Sequence, residues 1–235
     1  MALDLEGFSK ELRTFISAYK TDFDQLGTRY SQLLELAALT LAVNHYRGNG
    51  FAIKPGGLTK TSFRVKRGAS GHPWNFSWFE ATKEDVQVEI HANLAVRGNF
   101  GLDDGVYVVD VAIVKAGSVP HQKPKDPWFG ADNDELVTFV EAKALVIYPM
   151  LLAHFIGIVL EILPRFLTGP RPKEIEEQGH FFPALVSFGR LHGRAATMID
   201  WHERRDYWIT FVPDLDESFT AALSPLDRTT IQSTP

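Results

Sequence analysis

An apolar segment in the second half of the chain carries two charged residues close to its end. The segment is 135–145, ELVTFVEAKAL, and the charged pair is Glu141 and Lys143. Successive side chains of a strand point to opposite faces, so Glu141 and Lys143 are predicted to share one face while Ala142 lies on the other. A buried charge is costly unless a partner or a metal compensates it, so the pair marks a candidate site. Composition alone supplies about one acidic-x-lysine tripeptide in such a chain, so the rest of the argument depends on its setting.

Two further carboxylates lie inside apolar segments. Asp110 is in the middle of 106–114, VYVVDVAIV, although aspartate is disfavoured in strands. Glu35 is in an apolar stretch whose spacing predicts a helix over 25–47. A buried carboxylate needs a partner, which for Glu35 would be an ordinary salt bridge, a metal or a lysine of the site. Asp110 is therefore a candidate functional residue, and Glu35 is a candidate beside it.

The residue types of Asp110, Glu141 and Lys143 suit the hydrolysis of a phosphodiester bond. That reaction needs charge neutralised on a pentacovalent phosphate and hydroxide produced near neutral pH, and Mg²⁺ held by carboxylates does both. Hard oxygen ligands favour Mg²⁺ or Mn²⁺, and the chain has no cysteine that would favour softer metals. The alternative is an ion-pair network of the same three residues that only braces the sheet.

The composition narrows the class of protein. A chain of 235 residues with 45% hydrophobic content, 17 Phe and 5 Trp can fill a substantial core. The absence of cysteine excludes disulfides and agrees with a cytoplasmic protein. The N-terminal sequence MALDLEGFSKELRTF lacks a signal-peptide pattern, and the apolar run 144–160 contains Pro149 and His154. A strand followed by a buried helix explains that run better than a membrane span.

A basic segment stands out against the net charge of −5, which gives the whole chain no attraction for nucleic acid. It spans 51–67 and contains no acidic residue. Such a cluster is typical of phosphate contacts, although a solvated basic edge strand would have the same composition. The candidate nucleic-acid contacts are Lys54, Lys60, Arg64, Lys66 and Arg67.

The periodicity of the chain predicts helices and strands around these residues. The predicted helices are 5–20, 25–47, 148–163 and 194–204. The predicted strands are two short ones around a Gly-Gly turn in 51–67, then 86–96, 106–114, 135–145, 184–188 and 207–212. The strands 86–96 and 106–114 are predicted to form an antiparallel hairpin. Residues 68–79, 115–134 and 168–180 are predicted connections, and the 20-residue segment 115–134 is long enough to be a functional loop or flap.

Asp110, the tripeptide Glu141-Ala142-Lys143 and the order of the elements together resemble the PD-(D/E)xK, or restriction-endonuclease-like, nuclease superfamily. The resemblance covers roughly residues 25–188. Val109 stands where the superfamily name has proline. The spacing of 31 residues from Asp110 to Glu141 is long, and the 115–134 loop accounts for it.

The resemblance implies an α/β fold with a central mixed sheet flanked by helices, in the order helix-strand-strand-strand-helix-strand. It implies a single domain over 1–235, with a helical extension at 1–24, a core at 25–190 and C-terminal additions at 191–235. Asp110 and Glu141 would bind Mg²⁺ or Mn²⁺, with the Ala142 carbonyl as a third ligand. Lys143 would orient or deprotonate the attacking water, and Glu35 would complete the metal shell or hold Lys143.

The activity implied by the resemblance is a metal-dependent endonuclease acting on DNA, in a prokaryotic restriction or phage-defence setting. The alternatives are an RNase, or a non-catalytic subunit on the same fold that binds nucleic acid or protein. A homodimer and a subunit of a larger complex are both open, because one site cuts one strand. Period-two spacing also puts Glu89 and His91 on one face of the 86–96 strand, as second-tier candidates.

Overall fold

A computed structural model describes residues 30–59, 62–99, 105–125 and 130–215, with Thr14 in addition, and gives the backbone alone at 30–33. Most of the predicted first helix, Lys60 and the chain after residue 215 lie outside the described residues.

A seven-stranded mixed sheet forms the centre of the fold, and its strands follow one another in chain order. The strands are β1 (Ala52–Gly56), β2 (Trp78–Lys83), β3 (Val86–Arg97), β4 (Val106–Lys115), β5 (Leu136–Lys143), β6 (Ala184–Ser187) and β7 (Thr210–Val212). The helices are α1 (Tyr30–Gly48), α2 (Pro149–Ile162), α3 (Arg165–Thr168), α4 (Lys173–Glu177) and α5 (Gly193–Glu203). Neighbouring strands are antiparallel from β1 to β5 and parallel from β5 to β7. The predicted α/β class, a mixed sheet flanked by helices, is confirmed, with seven strands where the predicted order has four.

Local signals account for the elements that carry the site. β3 and β4 form the predicted antiparallel hairpin, with His91 opposite Ala112. α2 begins with Pro149 at its first position, where a missing N–H costs nothing, and ends just before Pro164. It has 14 residues, and in the described part of the chain no helix is both long and apolar enough to cross a membrane.

The predicted pair of strands within 51–67 is wrong in its second half. β1 matches the first half, but an isolated bridge between Thr59 and Ser62 is the pairing that follows it. The partner of β1 is β2, which begins at Trp78 inside the predicted 68–79 loop. The Trp78 indole packs against Gly56 and Gly57, where a Cβ would overlap its ring. This contact between residues distant in sequence favours β2 as the partner of β1, over the more highly charged second half of 51–67.

The apolar core contains α1, the sheet and α2. Phe63 stacks on Phe79 with ring centroids 4.4 Å apart, and Phe155 of α2 lies 5.8 Å from Phe139 of β5. All four phenylalanines are fully buried. The close packing holds β3, β4 and β5 in a fixed register, and these three strands carry most of the polar residues discussed below.

Candidate active site

Three of the predicted site residues converge where β4 and β5 run side by side. The pairing of Val111 with Val140 sets the register that brings Asp110 next to the end of β5. The Ala142 N–H donates a hydrogen bond to Asp110 Oδ2 at 2.7 Å. Lys143 Nζ contacts Glu141 Oε1 and lies 3.5 Å from Asp110 Oδ2. The predicted shared face of Glu141 and Lys143 is consistent with this contact.

Glu35 reaches the same region from α1. Its Oε2 accepts a hydrogen bond from Asn93 Nδ2 at 2.9 Å, so Asn93 rather than Lys143 holds this carboxylate. Burial raises the pKa of Glu35, the Asn93 hydrogen bond opposes that rise, and the negative charge of Asp110 adds to it. Because its pKa responds to the charges of Asp110 and Lys143, Glu35 belongs to the same electrostatic group. We call Glu35, Asp110, Glu141 and Lys143 the acid–lysine cluster.

The carboxyl group of Glu141 is buried and lies close to the negative charge of Asp110. Glu141 is 5% exposed. Burial is the main cause that raises the pKa of Glu141 to about 7, and the charge of Asp110 is the second, although Lys143 acts in the opposite direction. Its Oε2 is buried and has no hydrogen-bond partner in the part of the chain that the structure describes. A buried oxygen without a partner is costly, and a bound cation would compensate it. The donor set of carboxylate oxygens therefore fits a hard divalent metal ion.

Lys143 keeps its proton in this environment. Burial by itself would lower the pKa of its ammonium, but the carboxylates of Glu141 and Asp110 outweigh burial and hold the pKa above its ordinary value. A lysine that stays protonated at neutral pH cannot take a proton from water. In the metal-free protein the electrostatics therefore favour the orienting role over the deprotonating one.

Asn93 was not among the predicted site residues. It has a positive φ of +50° in the middle of β3, between the pairs Ala92–Val111 and Leu94–Val109. Its Nδ2 donates to Glu35 and also to the Lys66 carbonyl at 3.0 Å, while its own carbonyl accepts from Lys66 Nζ at 2.5 Å. Asparagine tolerates the left-handed region better than most residues, and such conformations cluster at functional sites. The sequence signal for Asn93 was its residue type, because asparagine is disfavoured in strands and this one lies inside the strand segment VQVEIHANLAVR.

We expect Asn93→Ala to destabilise the protein by about 1–3 kcal/mol, because it loses two buried hydrogen bonds and places an alanine at positive φ. Asn93→Gly is the matched control, since glycine adopts that φ without strain but also lacks the amide. Urea unfolding should therefore show a smaller loss for the glycine variant. A glycine variant that is the less stable of the two would rule out backbone strain at this position.

The prediction of nucleic-acid contacts in the basic segment 51–67 is corrected at one residue, Lys66. Lys66 is 3% exposed, and its ammonium is bound to the Asn93 carbonyl, so its assignment as a phosphate contact is wrong. Burial lowers its pKa to about 8. Lys54 and Arg64 are exposed, with the Arg64 guanidinium 5.8 Å from the centre of the Phe76 ring, and Arg67 is half-buried.

A second polar group lies on β3 and the loop after β4. His91 Nε2 lies 2.9 Å from Glu89 Oε2, which agrees with the predicted shared face. His121 Nε2 lies 3.1 Å from the same oxygen, and the Gly117 N–H donates to Glu89 Oε1 at 3.0 Å. The predicted 115–134 loop thus folds back onto β3. His121 was missed because loop residues have no periodicity that would place them.

We call Glu89, His91 and His121 the histidine cluster. It is separated from the acid–lysine cluster by Asn93, which follows His91 by two residues, roughly 7 Å along the strand. Comparisons of the chain with models of protein families, with curated proteins and with solved structures gave no match.

Proposed function

We propose that this protein is a metal-dependent nuclease that hydrolyses phosphodiester bonds of DNA. The observation that carries the proposal is the convergence of Asp110, Glu141 and Lys143, with a buried carboxylate oxygen of Glu141 left without a partner. Two close carboxylates and a protonated lysine form the residue set that metal-assisted phosphodiester hydrolysis needs.

The electrostatics of Glu141 bear on the alternative of an ion-pair network that only braces the sheet. In a compensated pair the lysine lowers the pKa of its carboxylate partner. Glu141 instead has a raised pKa, because burial and Asp110 together exceed the effect of Lys143. Burial and the Asp110 carboxylate both disfavour the charged form of Glu141, and a bound cation would stabilise that form.

The arrangement of elements also supports the proposal. α1 precedes the antiparallel strands β3, β4 and β5, and α2 then leads to β6, which is parallel to β5. With β1, β2 and the short helices α3 and α4 set aside, this agrees with the order helix-strand-strand-strand-helix-strand that the resemblance implies. β1 and β2 would be additions at one edge of that core, and β7 an addition at the other.

In the proposed site, Asp110 and Glu141 would hold Mg²⁺ or Mn²⁺. The Ala142 N–H points at Asp110, and the carbonyl of a strand residue points to the same side as its N–H, so this carbonyl is the third proposed ligand. The bound ion would neutralise charge on the phosphate and supply hydroxide near neutral pH. Lys143 would orient the attacking water and offset charge at the phosphate, and Glu35, held by Asn93, would complete the shell around the ion.

Arginines next to Lys66 in the sequence are the proposed contacts for the nucleic acid backbone. Lys66 is bound to Asn93, which in turn binds Glu35, so the chain around Lys66 passes close to the acid–lysine cluster. Arg64 and Arg67 flank Lys66 in the sequence and would supply the local positive charge that the acidic chain otherwise lacks. Lys54, on the edge strand β1, is a more distant proposed contact.

The test is cleavage of supercoiled plasmid and linear DNA with Mg²⁺, with Mn²⁺ and with a chelator. Wild type is expected to cleave only with metal. Asp110→Ala is expected to cleave more slowly than wild type by about 10²-fold or more. Asp200→Ala is the matched control, since Asp200 is exposed on α5. Equal rates for wild type and Asp110→Ala, or no cleavage of any nucleic acid by wild type, would contradict the proposal.

RNA substrates run in parallel distinguish the RNase alternative, because the backbone contacts proposed here carry no information on the sugar. Metal-independent binding without cleavage would favour the non-catalytic subunit. Cutting of both strands would require two sites, so we propose a homodimer or a larger complex, such as a restriction or phage-defence assembly, for that case.

A further inference from the structure

We propose that the histidine cluster of Glu89, His91 and His121 is a second metal site, which takes a transition-metal ion such as Zn²⁺ and fastens the 116–125 loop segment to β3. The ligand atoms of the three side chains all lie within 4.8 Å of one another. This inference is independent of the nuclease proposal, because it concerns different side chains and a different class of metal.

The chemistry of the donors separates the two sites. The acid–lysine cluster offers carboxylate oxygens, which suit Mg²⁺ or Mn²⁺. The histidine cluster offers two imidazole nitrogens and one carboxylate oxygen, which suit Zn²⁺ and its neighbours among the first-row metals. Three protein ligands leave a fourth tetrahedral position for water.

Two of the three distances between ligand atoms are close to those of a formed site. Both imidazoles direct the same nitrogen, Nε2, at the same oxygen, Glu89 Oε2, at 2.9 and 3.1 Å. Ligand atoms about 2.05 Å from a tetrahedral ion lie roughly 3.3 Å apart. These two edges of the cluster therefore need to open by only a few tenths of an ångström to admit an ion.

The surroundings already fix the three side chains. Glu89 Oε1 accepts the Gly117 N–H, which leaves Oε2 as the ligand atom. The Trp78 indole stacks on both imidazoles, with its ring centroid 3.9 Å from that of His121 and 6.0 Å from that of His91. Supporting contacts of this kind orient ligands and are a regular feature of metal sites.

The burial of the three ligands indicates what the metal would do. The side chains of Glu89 and His91 are 4% and 6% exposed on β3, whereas that of His121 is 35% exposed on the loop. An ion bound by all three would cross-link a loop to the sheet, with the open position on the solvent side. Its main effect would be to hold the loop against β3, the strand that also carries Asn93.

Co²⁺ is the probe for this site, because its visible absorption reports tetrahedral nitrogen and oxygen ligands. The full chain is treated with a chelator, dialysed and titrated with Co²⁺, and Zn²⁺ is then added as a competitor. The variants are His121→Ala, Glu89→Gln and Asp110→Ala. The control is His154→Ala, an exposed histidine on α2. Circular dichroism of each variant verifies its fold.

Wild type, His154→Ala and Asp110→Ala are expected to bind one Co²⁺ with tetrahedral absorption that Zn²⁺ displaces, whether or not the protein cleaves DNA. His121→Ala and Glu89→Gln are expected to lose roughly tenfold or more in affinity. Zn²⁺ should also slow hydrogen exchange in 116–125 in wild type and not in His121→Ala. No tetrahedral Co²⁺ absorption in wild type, or absorption that a folded His121→Ala retains in full, would overturn the proposal and leave an ion-pair cluster.

Discussion

Lys143→Ala is expected to slow DNA cleavage by about 10²- to 10³-fold without loss of divalent metal binding. Lys143 contacts Glu141 and lies 3.5 Å from Asp110, so its charge acts at the place where we propose that the phosphate and the attacking water meet. Removing the ammonium removes charge stabilisation from the transition state. It also removes a positive charge beside the metal ligands, so metal affinity should stay the same or rise.

Single-turnover cleavage at saturating Mg²⁺ measures this effect, with Lys115→Ala as the control on an exposed lysine at the end of β4. The carboxylates of Glu141 and Asp110 raise the pKa of Lys143 in the metal-free protein, and an ammonium that stays protonated with metal bound would give a similar fractional loss across the neutral pH range. A loss that appears only at high pH would indicate that Lys143 acts as a base. Full activity of Lys143→Ala would contradict its proposed role.

Glu141→Gln is expected to stabilise the metal-free protein at pH 8 by about 1–3 kcal/mol, because a pKa shift from 4.5 to about 7 corresponds to at most about 3 kcal/mol. The pKa of Glu141 is raised from 4.5 to about 7 in the folded protein. The folded state therefore holds this proton more tightly than the unfolded state. The stabilisation is fully present below pH 4.5 and is lost as the pH rises to about 7. Glutamine mimics the protonated carboxyl at every pH and removes this loss.

Urea unfolding in a chelator between pH 5 and pH 8 measures the difference, with Glu177→Gln as the control on an exposed carboxylate of α4. The difference between wild type and Glu141→Gln should be smallest at pH 5 and grow toward pH 8. Mg²⁺ should then restore stability to wild type and have little effect on the variant. A constant difference between the two proteins at all pH values would show that Glu141 is ionised normally.

The central part of the site could be predicted because strand geometry is local. Period two places Glu141 and Lys143 on one face, and adjacent apolar strands with one acid each have few ways to pair. The helix after β5 could also be predicted, since Pro149 and Pro164 mark its two ends. Asp110 was identified because it violates the composition of its strand.

The residues that escaped prediction depend on contacts distant in sequence. β2 was missed because Trp78 is ordered by its packing on Gly56 and Gly57, some twenty residues earlier. Lys66 has the composition of a surface cation, and its burial follows from the Asn93 carbonyl, 27 residues away. His121 reaches Glu89 across a fold of the loop, 32 residues away in sequence.

The most direct test of the account is Mn²⁺ binding to the acid–lysine cluster, measured by calorimetry in a His121→Ala background so that the histidine cluster does not contribute. The account predicts that Mn²⁺ binds to this parent and to its Lys143→Ala and Glu177→Gln derivatives. It also predicts that Asp110→Asn and Glu141→Gln each weaken binding by about tenfold or more, because each removes a direct ligand. Equal affinity in all five proteins, or no binding in the parent, would contradict the claim that Asp110 and Glu141 hold a metal.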